Sequence, residues 1–374
     1  MDVLIAGAGP AGAIAALVLA RAGARVTLFD RARFPRDKLC GDTINPGALA
    51  VLRRLGLGSV TEGGLRVEGM VVSGEGGVRV AGAYGGEQSG IALPRRVLDA
   101  RLLEAAVAAG ARIEEGVMVR GPLVAPDGQT VEGLELKSQG GGSKRRMAAV
   151  TIAADGAYSR IARAVRLART PAAPRRWALG ASFRGVTGLS TFGEMHVRKR
   201  WYIGVAPLPG DLANACVVTA DRNALRRRDV LLTTLREDPG IGGRFVAAEM
   251  VSVPSVLGPL ALDSTTAGMP GLLLAGDAAG FIDPMTGDGL RFAFRGAELA
   301  AHEALRVLAG GWQDAHRRVS EARQREFAAK WRFNRVLRAL AASPTAVRAA
   351  GVGTAVSPAL LRHVIRYAGD VQLG

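Results

Sequence analysis

A chain of 374 residues with 48% hydrophobic residues can bury a large core and a smaller one, and two cysteines exclude a disulfide framework. No apolar run reaches the roughly 18 residues that span a bilayer without a Gly, Pro or charge interrupting it, and the apolar amino-terminal stretch lacks a signal peptide's basic leader, so a cytoplasmic location is expected. The net charge of +16 would attract nucleic acid, an anionic membrane or phosphorylated cofactors; sparse aromatics, at 5%, and the lack of any nucleic-acid-binding motif argue against the first.

Val3 to Asp30 reads as strand, glycine turn, helix and second strand. Within Gly7-Ala-Gly-Pro-Ala-Gly12, Gly7 permits the sharp turn, Gly9 lets a pyrophosphate approach the backbone and Gly12 lets the helix pack closely on the sheet. The N–H groups at the start of that helix face the phosphates. Asp30, ending the second strand, is placed to accept hydrogen bonds from a ribose. Pro35, Gly41, Pro46 and Gly47 make 31–49 a shaped loop, with a helix from Ala48 to Leu55. Two antiparallel strands are expected within 66–83, and a helix over 93–110, with Pro94 near its start and Gly110 past its end. Arg95 stands at the unfavourable end of that helix dipole, which suggests an anionic neighbour.

A three-stranded meander is expected from 112–119, 130–137 and 146–153, leading into Asp155-Gly156 and a helix opened by Ser159, a second phosphate-facing turn. From 170 to 266 the pattern changes. Strands at 177–185, 194–198, 201–206 and 213–219 precede helices at 229–237 and 241–250, the order of a separate antiparallel domain. A buried strand then ends at Ala275, with Asp277 just outside its carboxyl end, where open α/β sheets bind ligands. Gly287 and Gly289 precede a helix running to about Leu308, whose N-terminus can stabilise negative charge on a ring or phosphate. The tail from Trp312 is helical and basic; a solvated helix packed on the domain is favoured over one resting on a membrane.

Four blocks together resemble the geranylgeranyl reductase family of FAD-dependent oxidoreductases, which shares the fold of the aromatic hydroxylases typified by p-hydroxybenzoate hydroxylase: Gly7 to Gly12; Phe34-Pro-Arg-Asp-Lys-Leu-Cys-Gly-Asp42 with Pro46-Gly-Ala-Leu49; Asp155-Gly-Ala-Tyr-Ser159; and Gly276-Asp-Ala-Ala-Gly-Phe-Ile-Asp-Pro-Met-Thr-Gly-Asp-Gly-Leu290. The resemblance covers about the first 165 residues and 272–308. It implies an α/β fold with a discontinuous Rossmann-type FAD-binding domain (1–65, 91–169 and 267–310), an inserted antiparallel-sheet substrate domain (66–90 and 170–266) and a C-terminal helical region (311–374). By matching position it implies that Gly7, Gly9, Ala11 and Gly12 hold the pyrophosphate of FAD, Asp30 and Arg31 its adenosine end, and Val119 the adenine. Cys40 and Gly41 would lie by the flavin, and Arg95, in the pattern Arg95-x-x-Leu98-Asp99, would bind cofactor phosphate. Asp277 would bind the ribityl or pyrophosphate region, Gly289 and Leu290 would offer backbone N–H groups to the flavin's pyrimidine edge, and Asp155, Gly156 and Gly287 are further cofactor-binding candidates.

Archaeal members of that family resemble one another in Tyr-x-Trp-x-Phe-Pro. This chain reads Tyr202-Ile-Gly204-Val-Ala206-Pro207, with Leu208 where a lysine is expected, so a wider pocket less selective for phosphorylated chains is implied. The activity implied is reduction of a carbon–carbon double bond in a hydrophobic isoprenoid, quinone or polyketide-like substrate. NADPH or NADH would be the transient electron donor, and Cys40 and Tyr202 are the candidate proton donors. The alternatives are a group A flavin monooxygenase, whose members usually carry His where this chain has Gly280, and a non-catalytic flavin-bound electron carrier. A hydrophobic small molecule is the expected partner and nucleic acid is not; peripheral contact with an anionic membrane and the oligomeric state are left open by the sequence.

Overall fold

The structure, a computed structural model, describes residues 2–85, 88–137, 142–169, 175–226, 229–282, 285–341 and 358–370. Its helices include α1 (Pro10–Arg21), α2 (Pro46–Arg54), α3 (Arg95–Ala108), α4 (Arg160–Ala164), α5 (Val230–Glu237), α6 (Gly289–Gly310) and α7 (Ala315–Ala341). A further helix, Pro358–Ala368, follows.

The first large sheet has the spatial order 268–269, 272–274, 150–153, 2–6, 25–30, 112–115, all parallel except the first strand. Strand side chains alternate between faces, and both faces here are covered, as a parallel sheet requires. Val3, Ile5, Val26, Leu28 and Ile152 pack into one core with α1, α3 and α6. Leu4, Ala6, Phe29 and Ala153 face the other way, onto Leu134 and Leu136 of a three-stranded antiparallel meander, 118–124, 131–137 and 143–147. This corrects the expected meander. Arg112–Glu115 and Val150–Ala153 leave it and join the parallel sheet, the second as a strand buried along its whole length and the first as the partly exposed edge.

The second large sheet runs 249–250, 177–184, 212–219, 201–208, 192–197, 69–73, 79–83. Leu179, Phe183, Ile203 and Val217 on one face pack against Leu231 and Leu235 of α5 and against Phe245. The expected helix at 241–250 does not form: Gly242–Phe245 is one 3-10 turn and Glu249–Met250 is an edge strand. Gly242 lies so close to the Arg236 carbonyl that any Cβ would collide with it. On the opposite face, Ala178, Met195, Val197, Tyr202 and Val218 cluster with Ala157, Leu262, Phe281 and Met285. The second sheet is thereby laid against the loops that leave the carboxyl ends of the first. Among the described residues no helix is long and apolar enough to cross a membrane.

Candidate cofactor and substrate site

Parallel strands release their loops at one edge, which brings Gly7, Asp155 and Asp277 to the same rim. Gly7 has φ +94°, and a Cβ there would strike the Ala154 carbonyl; a Cβ on Gly12 would strike the Gly7 carbonyl. Both glycines are required by close approach. The helix α1 has no side-chain cap and begins with Pro10, so the N–H groups of Ala11 and Gly12 remain for a ligand. Gly276, at φ +58°, sits where an added Cβ would be 2.7 Å from the Ala11 Cβ. The loop carrying Asp277 therefore lies directly on the glycine turn.

Asp30 closes the turn from the other side. Its two oxygens accept the N–H groups of Ala8 and Ala32, each at 2.9 Å, and one lone pair on each oxygen is left for a ribose. Arg31 is exposed beside it. Arg36, not singled out in the sequence, stacks 4.8 Å over the Phe34 ring and brings Nη2 to 3.2 Å from where a Cβ on Gly9 would stand. A cation thus covers the point where the turn is open to phosphate.

Arg95 is turned inward. Asp99, wholly buried, accepts its Nε and Nη2 at 2.7 and 2.8 Å and also pairs with Arg36 at 3.3 Å. The i to i+4 spacing on α3 makes that fork. Burial opposes the Arg95 charge, but Asp99 and a hydrogen bond with Cys40 hold it above the usual arginine range. Burial pushes the Cys40 thiol up, against the pull of Arg95. Enclosure lowers the Lys38 ammonium, although its surface stays accessible; Asp277 opposes that shift, and Arg95 and Arg36 add to it. Burial likewise raises Asp277, opposed by Lys38 and Arg95.

Asp42, with φ +52°, is 6% exposed. It accepts the Arg95 N–H at 3.1 Å and the Asn214 Nδ2 at 2.8 Å, and burial pushes it up to about 6. This carboxyl stitches the Cys40 loop to the second sheet. Lys38, Asp42 and Asp99 lie inside the quoted sequence blocks, where their neighbours drew the attention; Asn214, a lone polar residue in Ala-Asn-Ala-Cys-Val-Val, was the visible signal for a buried cross-link.

On the remaining sides, Asp155 accepts the Arg160 N–H at 2.9 Å, and its Oδ1 is buried without a partner. Gly41, Gly156, Gly287 and Gly289 each face open space where a Cβ would go. Val119 is half-buried in the meander. Gly289 and Leu290 form the first turn of α6, again without a side-chain cap. Asp288, just before it, is buried and pushed up to about 6 by burial; Asn45, Thr286, Asn334 and Lys330 hold it. An uncapped glycine turn under a cation, a second uncapped helix start and an orphaned carboxylate oxygen fit an extended dinucleotide such as FAD. Gly7, Gly9, Ala11, Gly12 and Asp277 would hold its phosphates and the start of α6 its ring.

The second sheet contributes the facing wall. Gly180, Cys216, Gly204 and Met195 are paired in one row across four strands. A Cβ on Gly204 would meet only the Cys216 Sγ, at 3.2 Å, whereas Leu39 occupies the space over Gly180. Tyr202 is 7% exposed within the apolar cluster, its ring 5.8 Å from the Arg176 guanidinium. His196 lies in a structural network, between the Ser73 hydroxyl at 2.8 Å and Glu194 at 2.9 Å.

Residues 1–196 match the FAD binding domain family. The chain is 30% identical to menaquinone reductase of Mycolicibacterium smegmatis, an alignment covering 99% of this chain and 91% of that one. It is also 30% identical to digeranylgeranylglycerophospholipid reductase 1 of Methanopyrus kandleri, over 82% of this chain and 81% of the relative. A flavoprotein/dehydrogenase from Cytophaga hutchinsonii superposes with a TM-score of 0.84 at 19% identity, covering 99% and 93% of the two chains, and so shows the same fold.

Proposed function

The chain belongs to the geranylgeranyl reductase family of FAD-dependent oxidoreductases, and from that premise we propose that it reduces a carbon–carbon double bond in an isoprenoid-bearing lipid, with NADPH or NADH as donor. Bound FAD supplies the hydride relay from the nicotinamide to one carbon of the double bond, and the neighbouring carbon then takes a proton. The residues that favour this reading form an apolar face of the second sheet, the small Gly204 and Cys216 bordered by Tyr202 and Met195. Such a face accepts a hydrocarbon chain and excludes water.

Cys40 keeps its proton at neutral pH because burial raises it, so the thiol and the Tyr202 hydroxyl are the proton sources nearest in character to the need. Asp42, accepting from the Asn214 Nδ2, ties the loop bearing Cys40 to the strand bearing Cys216. Gly280 stands where hydroxylating relatives in this fold usually carry His, and it adopts φ +125°.

The test is anaerobic reduction of the FAD-loaded protein by each nicotinamide, followed by separate mixing with oxygen and with menaquinone or a polyprenyl lipid. The proposal expects oxidation of the flavin by the lipid and a product heavier by two hydrogens. A product heavier by one oxygen, formed with matching oxygen consumption, would establish the monooxygenase reading instead.

A further inference from the structure

A cleft of about 480 Å³ lies on the outer side of the loop that carries Asp277, between residues 261–267, the Ala279–Phe281 segment and α7. Four arginines of α7 line it, Arg323, Arg332, Arg335 and Arg338, together with Trp331; Asp263 is the one acid among its described lining residues. Arg323 is 4% exposed. Its Nη2 donates to the Ala279 carbonyl at 3.1 Å, its Nη1 rests against Gly296 of α6 without a hydrogen bond, and its guanidinium lies 5.4 Å from the Phe327 ring centre. None of the four arginines pairs with a carboxylate among the described residues. Burial alone lowers Arg323, to about 10, with no acid to offset it.

A buried guanidinium without a counter-charge is costly to hold. The other cations of α6 and α7 show the ordinary remedy: Arg318 pairs with Glu303 at 2.6 Å, and Arg291 and Arg295 pair with Glu326 at 3.1 and 3.0 Å. The cleft arginines lack that remedy, and three of them recur every third residue on one side of α7, as a surface built for an anion would. We propose that this cleft binds the phosphate-bearing adenosine end of the nicotinamide donor, with the 2′-phosphate of NADPH among the arginines and the adenine against Trp331. The inference rests on the nicotinamide-driven reading above.

The position suits that role. Ala279 is two residues from Asp277, at most about 7 Å of extended chain, so a dinucleotide anchored in the cleft has its other end within reach of the flavin groove. A recessed cleft lined by the aromatic residues Trp331 and Phe281 fits a nucleotide better than a flat lipid surface. The geometry also chooses between donors, since NADH lacks the 2′-phosphate that the arginines would hold.

The test uses the FAD-loaded protein and its Arg332→Gln/Arg335→Gln variant, whose changed residues are exposed and outside the flavin groove. Adenosine 2′,5′-bisphosphate binding is read by calorimetry, and KM and kcat are measured for NADPH and NADH. We expect the native protein to bind the bisphosphate and the variant to bind it about tenfold or more weakly. KM for NADPH should rise by a similar factor with kcat unchanged, and KM for NADH should move little. Equal bisphosphate binding by the two proteins, or none by either, would overturn the assignment. So would loss of binding to phosphatidylglycerol vesicles in the variant with nucleotide binding intact, which would make the cleft a lipid headgroup site. Should the native protein bind the bisphosphate while NADPH fails to reduce its flavin, the donor reading falls and the phosphate site remains.

Discussion

Asp99 has no exposed surface, yet it holds two guanidiniums, the inward-turned Arg95 through both oxygens and Arg36, which covers the glycine turn, through one. Replacing it with Asn removes the charge that aims them. FAD should then bind about tenfold or more weakly, read by quenching of flavin fluorescence on titration; an unchanged affinity would detach these arginines from cofactor binding. Asp42 makes a second residue-scale prediction. Burial moves it from 3.8 to about 6, so between those values the folded protein binds a proton that the unfolded chain has released. The stability it contributes below pH 4 is therefore lost as pH rises through 6, by about 3 kcal/mol at most. Asp42→Asn carries no such loss, and its unfolding free energy relative to the native protein should improve steadily between pH 4 and 6.5 in urea titrations. A pH-independent difference would show that Asp42 titrates normally. Gly204→Trp would fill the space beside the Cys216 Sγ; bulky lipid substrates should lose at least tenfold in kcat/KM while flavin reduction by the nicotinamide stays intact.

At the scale of elements, the start of α6 depends on α7 and on the helix Pro358–Ala368. Lys330, 3% exposed, pairs with Asp288 at 3.3 Å and Asp370 at 3.2 Å and donates to the carbonyls of Tyr367 and Ala368. Lys330→Met leaves the buried Asp288 carboxylate without its cation, while Asp370 keeps Arg291 at 2.5 Å; the loss should cost about 3–5 kcal/mol, measured by urea denaturation, and Asp288→Asn added to it should restore part of it. Sequence reading found the strand–turn–helix–strand unit because its glycine spacing, helical period and terminal Asp30 agree with one another. It misplaced Arg112–Glu115 and Val150–Ala153, since a strand of four residues looks alike in a meander and in a parallel sheet, and only the partner strand decides. It read 241–250 as a helix from its apolar residues, where glycine crowding against Arg236 allows one turn. The glycine turn and the Asp277 loop were visible as motifs. The Asp42–Asn214 link joins residues 172 positions apart, and nothing local could announce it.

For the molecule as a whole, the excess positive charge is not spread evenly. Packing α7 on α6 neutralises cations of both helices, Arg318 through Glu303 and Arg291 and Arg295 through Glu326, while other arginines of α7 gather around one cleft without a carboxylate partner among the described residues. Cofactor binding should also stabilise the fold as a unit. Free FAD at a hundred times its dissociation constant adds about 2.7 kcal/mol, and a thermal scan with and without it should show one transition moving upward; two transitions, with one unmoved, would mean that the sheets unfold separately. The helix Pro358–Ala368 fastens both halves of the structure. Ile365 seats on Gly82 of the hairpin, Tyr84 packs on Gly369, and the Gly47 N–H donates to the Gly369 carbonyl at 3.1 Å. That clasp is made of residues translated long after the segments they grip. A nascent chain still threaded through the ribosome exit tunnel has no means of closing it, so this fastening is completed only after synthesis has passed position 370.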